Sequence, residues 1–437
     1  MNYKETIDYL YEQLPMFSRI GEKAYKADLS NTLALCNALD NPQNKFKSIH
    51  IAGTNGKGST SNMLAAILQQ AGYKTGLYTS PHIKDFGERI RVNGEKINQQ
   101  FVIDFTERTK QLTAQIKPSF FELTVAMAFE YFAAQQVDIA VIETGLGGLL
   151  DSTNVINPLL SVITNIGYDH INILGSTLAE IARQKAGIIK QNTPVVIGEV
   201  LPETLPVFLN EAKNKNAALT IAPNLYSAEN IDSNNTLLQV VIKNKLSSKE
   251  QKINLDLTGL YQVKNCITVI CAVNELRKIG FIISEKNAEH ALENVKKITG
   301  LRGRWDVLQH SPTIIVDVAH NTDGIKQVMH QLKTQYPNAT LHFIIGFVHD
   351  KDIGPALDLF PKNAHYYFTN AHMPRALAYQ DLIKMAESKN LKGKGYDRVN
   401  DAIHDALKFA AADDVIIICG SFFIISEIED SYFDPKN

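Results

Sequence analysis

Few cysteines, no long apolar run and almost no net charge: each shortage removes a class of function. The four cysteines, Cys36, Cys266, Cys271 and Cys419, are scattered over 437 residues in apolar surroundings. Their spacing matches no metal-binding pattern and fits a reduced compartment, so a cytoplasmic protein is expected. No apolar run approaches the roughly 20 residues of a membrane span. The opening Met1–Asp8 is mixed in charge and has no apolar signal core. A net charge of −2 gives no argument for nucleic acid or a membrane surface as partner. There is no G-x-G-x-x-G dinucleotide fingerprint, no short-period repeat, and no Ser/His or Cys/His pair to suggest a covalent nucleophile. What remains is 45% apolar and 21% charged residues, a globular profile, over a length that suits about two to three domains.

Against that plain background one stretch stands out, Ser48-Ile-His-Ile-Ala-Gly-Thr-Asn-Gly-Lys-Gly-Ser-Thr60. A β-branched run enters a loop with glycines at 53, 56 and 58. Lys57 lies inside the loop, and Ser59 and Thr60 close it. Met63, Leu64, Ile67, Leu68 and Ala71 then mark one face of a helix that Gly72 stops. Glycines let backbone N–H groups turn toward phosphate oxygens, and a helix N-terminus adds partial positive charge. The lysine neutralises phosphate, and a hydroxyl suits Mg²⁺. The lysine precedes the last glycine, which departs from G-x-x-x-x-G-K-S/T and points away from kinases and GTPases. The plainer alternative is a glycine-rich turn with a solvated lysine.

Around this loop, strands and helices alternate. Helices are predicted at Tyr3–Gln13, Leu29–Leu39, 98–116, 120–136 and Leu178–Ile189; strands at Val137–Glu143, Leu159–Ile166 and Pro194–Gly198. This predicts a doubly wound, mostly parallel sheet. Thr236–Lys243 and Lys252–Leu257 read as an antiparallel pair joined by a solvated loop, and a helix follows at about 262–279. The glycine- and arginine-rich Thr299–Trp305 suits a hinge. A second alternation then has strands at Thr313–Val318, Thr340–Gly346, His365–Thr369 and Asp414–Gly420, with helices at 323–335, 379–388 and 400–411. The fold class expected is α/β: a P-loop-containing doubly wound domain (1–298) followed by a smaller Rossmann-like α/β domain (299–437).

Chemistry-bearing residues cluster at strand ends. Glu143 closes an apolar strand, where Mg²⁺ on phosphates would sit if that strand lies beside the P-loop strand. His170 lies four residues beyond the next strand and reads as a second metal ligand or a loop hydrogen-bonder. Lys185 falls mid-helix among apolar neighbours, where a snorkelling surface lysine is the bland reading. Asp317-Val-Ala-His-Asn321 ends what reads as the first strand of the second domain, and Gly420-Ser421 ends another. Arg302 and Arg304 flank Gly303, placed either to reach phosphate oxygens or to form an interdomain ion pair.

Taken together these residues resemble the folylpolyglutamate synthase/dihydrofolate synthase family of the ATP-dependent Mur ligase superfamily, nearly end to end. The matching motifs are His50–Ser59, Tyr78–His82 with Glu88–Ile90 and Asn93–Gly94, Phe120–Thr124, and Glu143–Gly148 with Asp151–Asn154. Further along they are Ile163–Gly167 with Asp169–His170, Lys185–Ile188, Gly303–Trp305, Asp317–Asn321 and Gly420–Ser421. The resemblance implies a P-loop domain and a Rossmann-like domain with ATP in the cleft. It implies ATP contacts from Thr54, Asn55, Gly56, Lys57, Gly58, Ser59, Asn265, Arg304, Asp317 and His320, and catalytic roles for Lys57, Glu143, His170 and Lys185. Two Mg²⁺ sites would draw on Ser59, Glu143, His170 and Lys185, the last as a lysine carbamoylated by CO₂. Substrate contacts are expected from Ser80, Phe120, Phe121, Glu122, Leu149, Asp151 and Ser421: the pterin end of the folate or dihydropteroate near Phe120, Phe121 and Asp151, with help from the segment around Asp28, and L-glutamate in the cleft near His320 and Ser421. Leu149 stands where the family usually has arginine, and Gly21–Ser30 matches the N-terminal substrate motif poorly.

The activity so implied is a two-step amide ligation. A substrate carboxylate attacks the γ-phosphorus of ATP, and the α-amine of L-glutamate attacks the acyl phosphate, releasing phosphate beside ADP. Domain closure is expected to keep water from the acyl phosphate. The partners implied are small molecules alone, acting on a monomer. Two other readings share the loop: a peptidoglycan-type Mur ligase acting on a UDP-linked substrate, opposed by Phe-Phe-Glu and Ser-Pro-His, and a non-catalytic P-loop module, opposed by Glu143, His170 and the second αβ domain.

Overall fold

The computed structural model describes residues 1–21 and 26–433, without the side chains of Ser18 and Ile20; the middle of the Gly21–Ser30 stretch, 22–25, lies outside them. The chain forms two compact units. One comprises Met1–Ile231, Gln239–Asp256 and Gln262–Leu301; the other comprises Asp232–Leu238, Leu257–Tyr261 and the chain from Arg302 onward.

The first unit is built on eight strands: β1 (Lys47–Ala52), β2 (Thr75–Tyr78), β3 (Ile90–Val92), β4 (Glu95–Lys96), β5 (Ile139–Glu143), β6 (Leu160–Ile163), β7 (Val195–Ile197) and β8 (Leu219–Ile221). Their order is β4-β3-β2-β5-β1-β6-β7-β8. β2 and β5–β8 run parallel with β1, while β3 and β4 form an antiparallel edge. Every residue of β5 and β6 is buried, which is why both read as unbroken apolar runs and not as alternation. The strand order reverses across β1, so its C-terminal loop opens where doubly wound sheets bind ligands.

The helix after that loop, Lys57–Gln70, was expected to bury one face. It is buried all round from Gly58 to Leu68. Strands β2 and β5 pack on one side, and helices Gln262–Lys278 and Glu285–Leu292 on the other. The apolar face of Met63, Leu64, Ile67 and Leu68 is only part of what is buried: Ser61, Asn62, Ala65 and Ala66 are buried as well, and such small or polar residues add nothing to an apolar stripe.

The expected antiparallel pair is β10 (Leu238–Asn244) and β11 (Glu250–Leu255). A third strand, β9 (Tyr226–Ser233), extends it in the order β11-β10-β9. No residue of β9 is buried, so no alternation marks it.

In the second unit the strands are β12 (Asp306–His310), β13 (Thr313–Val316), β14 (Leu341–Ile345), β15 (His365–Thr369), β16 (Gly393–Tyr396) and β17 (Val415–Cys419), in the order β12-β13-β17-β14-β15-β16. The strand before Asp317 is therefore the second of this unit and not the first, because β12 pairs antiparallel to it. β16 also escapes the sequence pattern. A side chain at Gly393 would meet the Tyr366 carbonyl at 2.2 Å, so close approach and not β-propensity selects that residue.

Trp305 is the only tryptophan, and it is buried with Phe343, Phe360, Phe368 and Ile417 in this unit's core. Its fluorescence therefore reports unfolding of this unit. Phe343→Ala is expected to weaken the transition seen by that signal by about 3–5 kcal/mol. A denaturant midpoint equal to the wild type would show that the cluster is not the core.

Candidate active site

The loop after β1 is shaped by close contacts that only glycine permits. Gly53 has φ +149°, and a Cβ there would meet the Thr164 hydroxyl at 1.9 Å; Gly56 has φ +83°, and a Cβ would meet Asn265 Oδ1 at 2.3 Å. Backbone atoms of the loop are held from β6: Thr54 N–H donates to the Asn165 carbonyl (3.0 Å), Asn55 N–H to Asn165 Oδ1 (2.8 Å), and Thr164 Oγ1 to the Asn55 carbonyl (2.6 Å). The Thr54 hydroxyl bonds both ways with the backbone of Gly167. Gly58 and Ser59 are buried in the first turn of the helix that starts at Lys57.

Lys57 Nζ donates to the carbonyls of Gly53 (3.0 Å) and Thr54 (3.2 Å). Lys185, read as a surface residue on the bland view, is instead 4% exposed, and its Nζ donates to the same Gly53 carbonyl at 2.9 Å. Burial, and then the charge of Lys57, brings its amine from an ordinary 10.5 down to about 7. Two lysine amines thus meet on one carbonyl just before a helix N-terminus, the kind of place whose N–H groups and partial positive charge suit anions.

Glu143 is buried at the end of β5 and pairs in register with Ile51 of β1, so it does lie on the strand beside the loop. His170 has a left-handed backbone (φ +51°), sits 3.7 Å from Asp169, and meets the Phe17 ring edge-on at 5.6 Å. Asn265 Nδ2 donates to Gln262 Oε1 (2.8 Å), and Gln262 Nε2 donates to Ser59 Oγ (3.1 Å). Gln262 is a site neighbour that the sequence reading passed over, because a glutamine at a helix start reads as ordinary.

Several expected substrate residues hold backbone instead of facing outward. Glu122 completes the capping box of helix Phe120–Ala134, accepting from Ser119 N–H at 2.6 Å. Asp151 accepts from Leu146 N–H (2.7 Å) and Thr153 N–H (3.0 Å), bracing the loop after β5. Phe120 is a core residue; Phe121 is half-buried against Gly145 and Tyr78. Ser80 is half-buried. Leu149 is 44% exposed while its N–H is tied to the Gln184 carbonyl at 2.7 Å. Asp28 accepts from Ser30 N–H at the start of its helix. Arg89, not singled out by sequence, is a buried guanidinium stacked 5.2 Å from the Phe120 ring centre and donating to His82 Nδ1 at 2.7 Å.

The remaining expected residues belong to the second unit. Asp317 is buried and accepts from Tyr261 O–H (2.6 Å), Trp305 N–H (2.8 Å) and Ala319 N–H (2.8 Å). Burial raises its carboxyl pKa, and these donors oppose the rise. Gly420 N–H donates to the Ala319 carbonyl at 2.9 Å, so the two strand ends meet as expected. Ser421 caps the helix Phe422–Ser426, His320 Nδ1 lies 2.9 Å from the Val318 carbonyl, and the Arg304 guanidinium stacks on Phe422 at 5.0 Å. Arg302 pairs with Asp306 at 2.8 Å inside this unit.

Behind the loop, His50 of β1 is fully buried. Thr153 Oγ1 donates to Asp151, so His50 Nε2–H donates to Thr153 at 2.8 Å. Burial and the Lys190 charge push His50 from 6.5 to about 3. Between these values the unfolded chain binds the proton and the folded chain resists it, so stability falls as pH drops from about 6.5 toward 3. The loss of melting temperature across that window is expected to be smaller in His50→Gln; an unchanged pH dependence would refute the assignment.

Residues 51–273 match the Mur ligase middle domain and residues 303–422 the glutamate ligase domain of Mur ligases. Dihydrofolate synthase/folylpolyglutamate synthase of Bacillus subtilis is 34% identical over 92% of this chain and 94% of its own. Folylpolyglutamate synthase of Lacticaseibacillus casei is 30% identical over the full length of both. Among solved structures, E. coli FolC in complex with DHPP and ADP superposes with a TM-score of 0.86 at 28% identity, covering 100% of this chain and 99% of that one. Mycobacterium tuberculosis folylpolyglutamate synthase complexed with ADP and AMPPCP gives 0.86 at 28% identity, over 99% of each chain. With both domain models and full-length relatives matching a chain whose glycine loop gathers two lysines, this protein belongs to the folylpolyglutamate synthase/dihydrofolate synthase family of Mur ligases.

Proposed function

We propose that this chain is an ATP-dependent ligase that joins L-glutamate to the carboxyl group of a folate or of dihydropteroate through an acyl phosphate. The observation that carries this reading is Lys57 held on the Gly53 and Thr54 carbonyls of the glycine loop, with the Lys185 amine beside it on the Gly53 carbonyl, in a family whose members are named for this reaction. Lys57 and the loop N–H groups from Gly56 to Ser59 offset charge on the phosphates while the substrate carboxylate attacks the γ-phosphorus. The amine of L-glutamate then displaces phosphate from the acyl carbon. Asn265, Arg304, Asp317 and His320 are assigned to the nucleotide. Phe121, Ser80, Leu149 and Ser421 are assigned to the substrates, with Phe120, Glu122 and Asp151 bracing that wall from behind. The division of labour follows an ATP-binding domain over 1–298 and a ligase domain over 299–437.

Two Mg²⁺ ions belong to this reading. The oxygen donors of Ser59 and Glu143 suit the ion, and His170 adds a nitrogen. Among the described residues no three His, Cys, Asp or Glu side chains form a cage, which fits an ion bound largely through substrate phosphates. When bound, Mg²⁺ supplies Lewis-acid neutralisation of the phosphate oxygens. Lys185, with its amine brought down toward 7, is in large part neutral near pH 7, the form that attacks CO₂ to give a carbamate. We take the protein to be a cytoplasmic monomer; its four buried thiols fit a reducing compartment, and no helix among the described residues is long and apolar enough to cross a membrane.

ADP release that requires L-glutamate is expected with dihydropteroate, tetrahydrofolate or both, and not with a UDP-linked peptide. Running the two folates side by side assigns dihydrofolate synthesis and chain extension. Lys57→Ala is expected to lower kcat by about a hundredfold or more. Turnover of the UDP-linked peptide alone, or a near-normal Lys57→Ala rate, would overturn the reading. For Lys185, ¹³C NMR in labelled bicarbonate is expected to show a carbamate carbon that Lys185→Ala lacks; a Mg²⁺-loaded wild type without that signal would exclude the modification.

A further inference from the structure

We propose that Gln262 is a positioning residue for the phosphate loop: its amide directs the Ser59 hydroxyl proton toward the bound nucleotide. The proposal rests on the reading of the loop as a triphosphate cradle. Three hydrogen-bonding groups stand in one direction. Asn265 Nδ2 donates to Gln262 Oε1, and Gln262 Nε2 donates to Ser59 Oγ. A hydroxyl that accepts from an amide N–H points its own proton away from that donor. Ser59 is 1% exposed and Gln262 fully buried, so water offers neither an easy substitute partner.

The two amides are coupled in direction. Turning the Gln262 amide over sets its N–H₂ against the N–H₂ of Asn265, unless Asn265 turns as well. Asn265 is packed against Gly56, where a Cβ would come within 2.3 Å of its Oδ1. Gln262 and Asn265 are one turn apart on the helix Gln262–Lys278, so both amides reach the loop from a rigid element. Gln262 itself touches neither phosphate nor acyl group in the mechanism above; it acts through Ser59.

The test is a double-mutant cycle on Ser59 and Gln262, read by ATP kinetics in full-length protein and by ATP titration calorimetry without folate. Gln262→Met keeps the side-chain length and removes both polar groups. It is expected to lower kcat/KM for ATP by about tenfold to a hundredfold and to leave KM for glutamate and the folate within about threefold. Gln262→Glu keeps the shape but accepts the Ser59 proton, and is expected to lose more; it also serves if the methionine variant does not fold. In a Ser59→Ala background Gln262→Met is expected to add less than about a twofold loss. A full additive loss there would show a merely structural glutamine, and wild-type ATP affinity and kinetics in either single variant would also overturn the proposal. A wild type that binds ATP with a non-additive cycle but turns over no folate would sink the functional reading and leave this one standing; a wild type that binds no ATP would sink both.

Discussion

The carbonyl oxygen of Gly53 accepts from two ammonium groups, and much of the first unit is arranged so that this can happen. Lys57 comes from the helix that the loop itself starts, and Lys185 from a helix 132 residues further along the chain. Burial first, and then the nearby charge of Lys57, bring the Lys185 amine down from its ordinary value toward 7. The arrangement places two lysine amines on the backbone of the glycine loop. Reaching it requires β6 beside β1, Thr164 against Gly53, Asn265 against Gly56, and a glycine at 148, where a Cβ would come within 2.8 Å of the Lys185 carbonyl.

Around that centre most polar residues secure backbone. Loops at the C-terminal rim of a parallel sheet leave the ladder and carry N–H groups that need acceptors. Asp151 serves the loop after β5, Asp317 the loop after β13, and Ser421 the turn after β17. Asn321 caps the helix that follows the loop after β13, and away from the rim Glu122 serves the capping box of helix Phe120–Ala134. This is why residues with the look of ligands turn out to be braces: a carboxylate that fixes two or three N–H groups sets the shape of a site it need not enter.

Much of the fold was legible because it is written in burial of apolar side chains. The helices Tyr3–Gln13 and Tyr379–Ser388 and the strand His365–Thr369 have the bounds their patterns predict. Glu143 at a strand end beside the glycine loop follows from the same logic, confirmed by the pairing of β1 with β5. Of the strands that were missed, β4, β8, β9, β12 and β16 lie at sheet edges, where one side of the strand is unpaired and the side-chain pattern is weak, while β2 and β3 lie inside the sheet but are only four and three residues long. Lys185 was unreadable for a different reason. A lysine among apolar neighbours looks the same whether its head reaches water or a buried carbonyl.

By itself, then, the sequence determined what is local: a glycine loop between strand and helix, its lysine and hydroxyl, and the alternation that makes two α/β sheets. Those depend on backbone conformation and on periodicity, which neighbouring residues decide. Only the tertiary structure decided which polar groups meet that loop, because Lys185 and Gln262 arrive from 132 and 203 residues away. Sheet order and helix packing bring them there, and a hydrogen bond between buried side chains leaves no periodic trace in the chain.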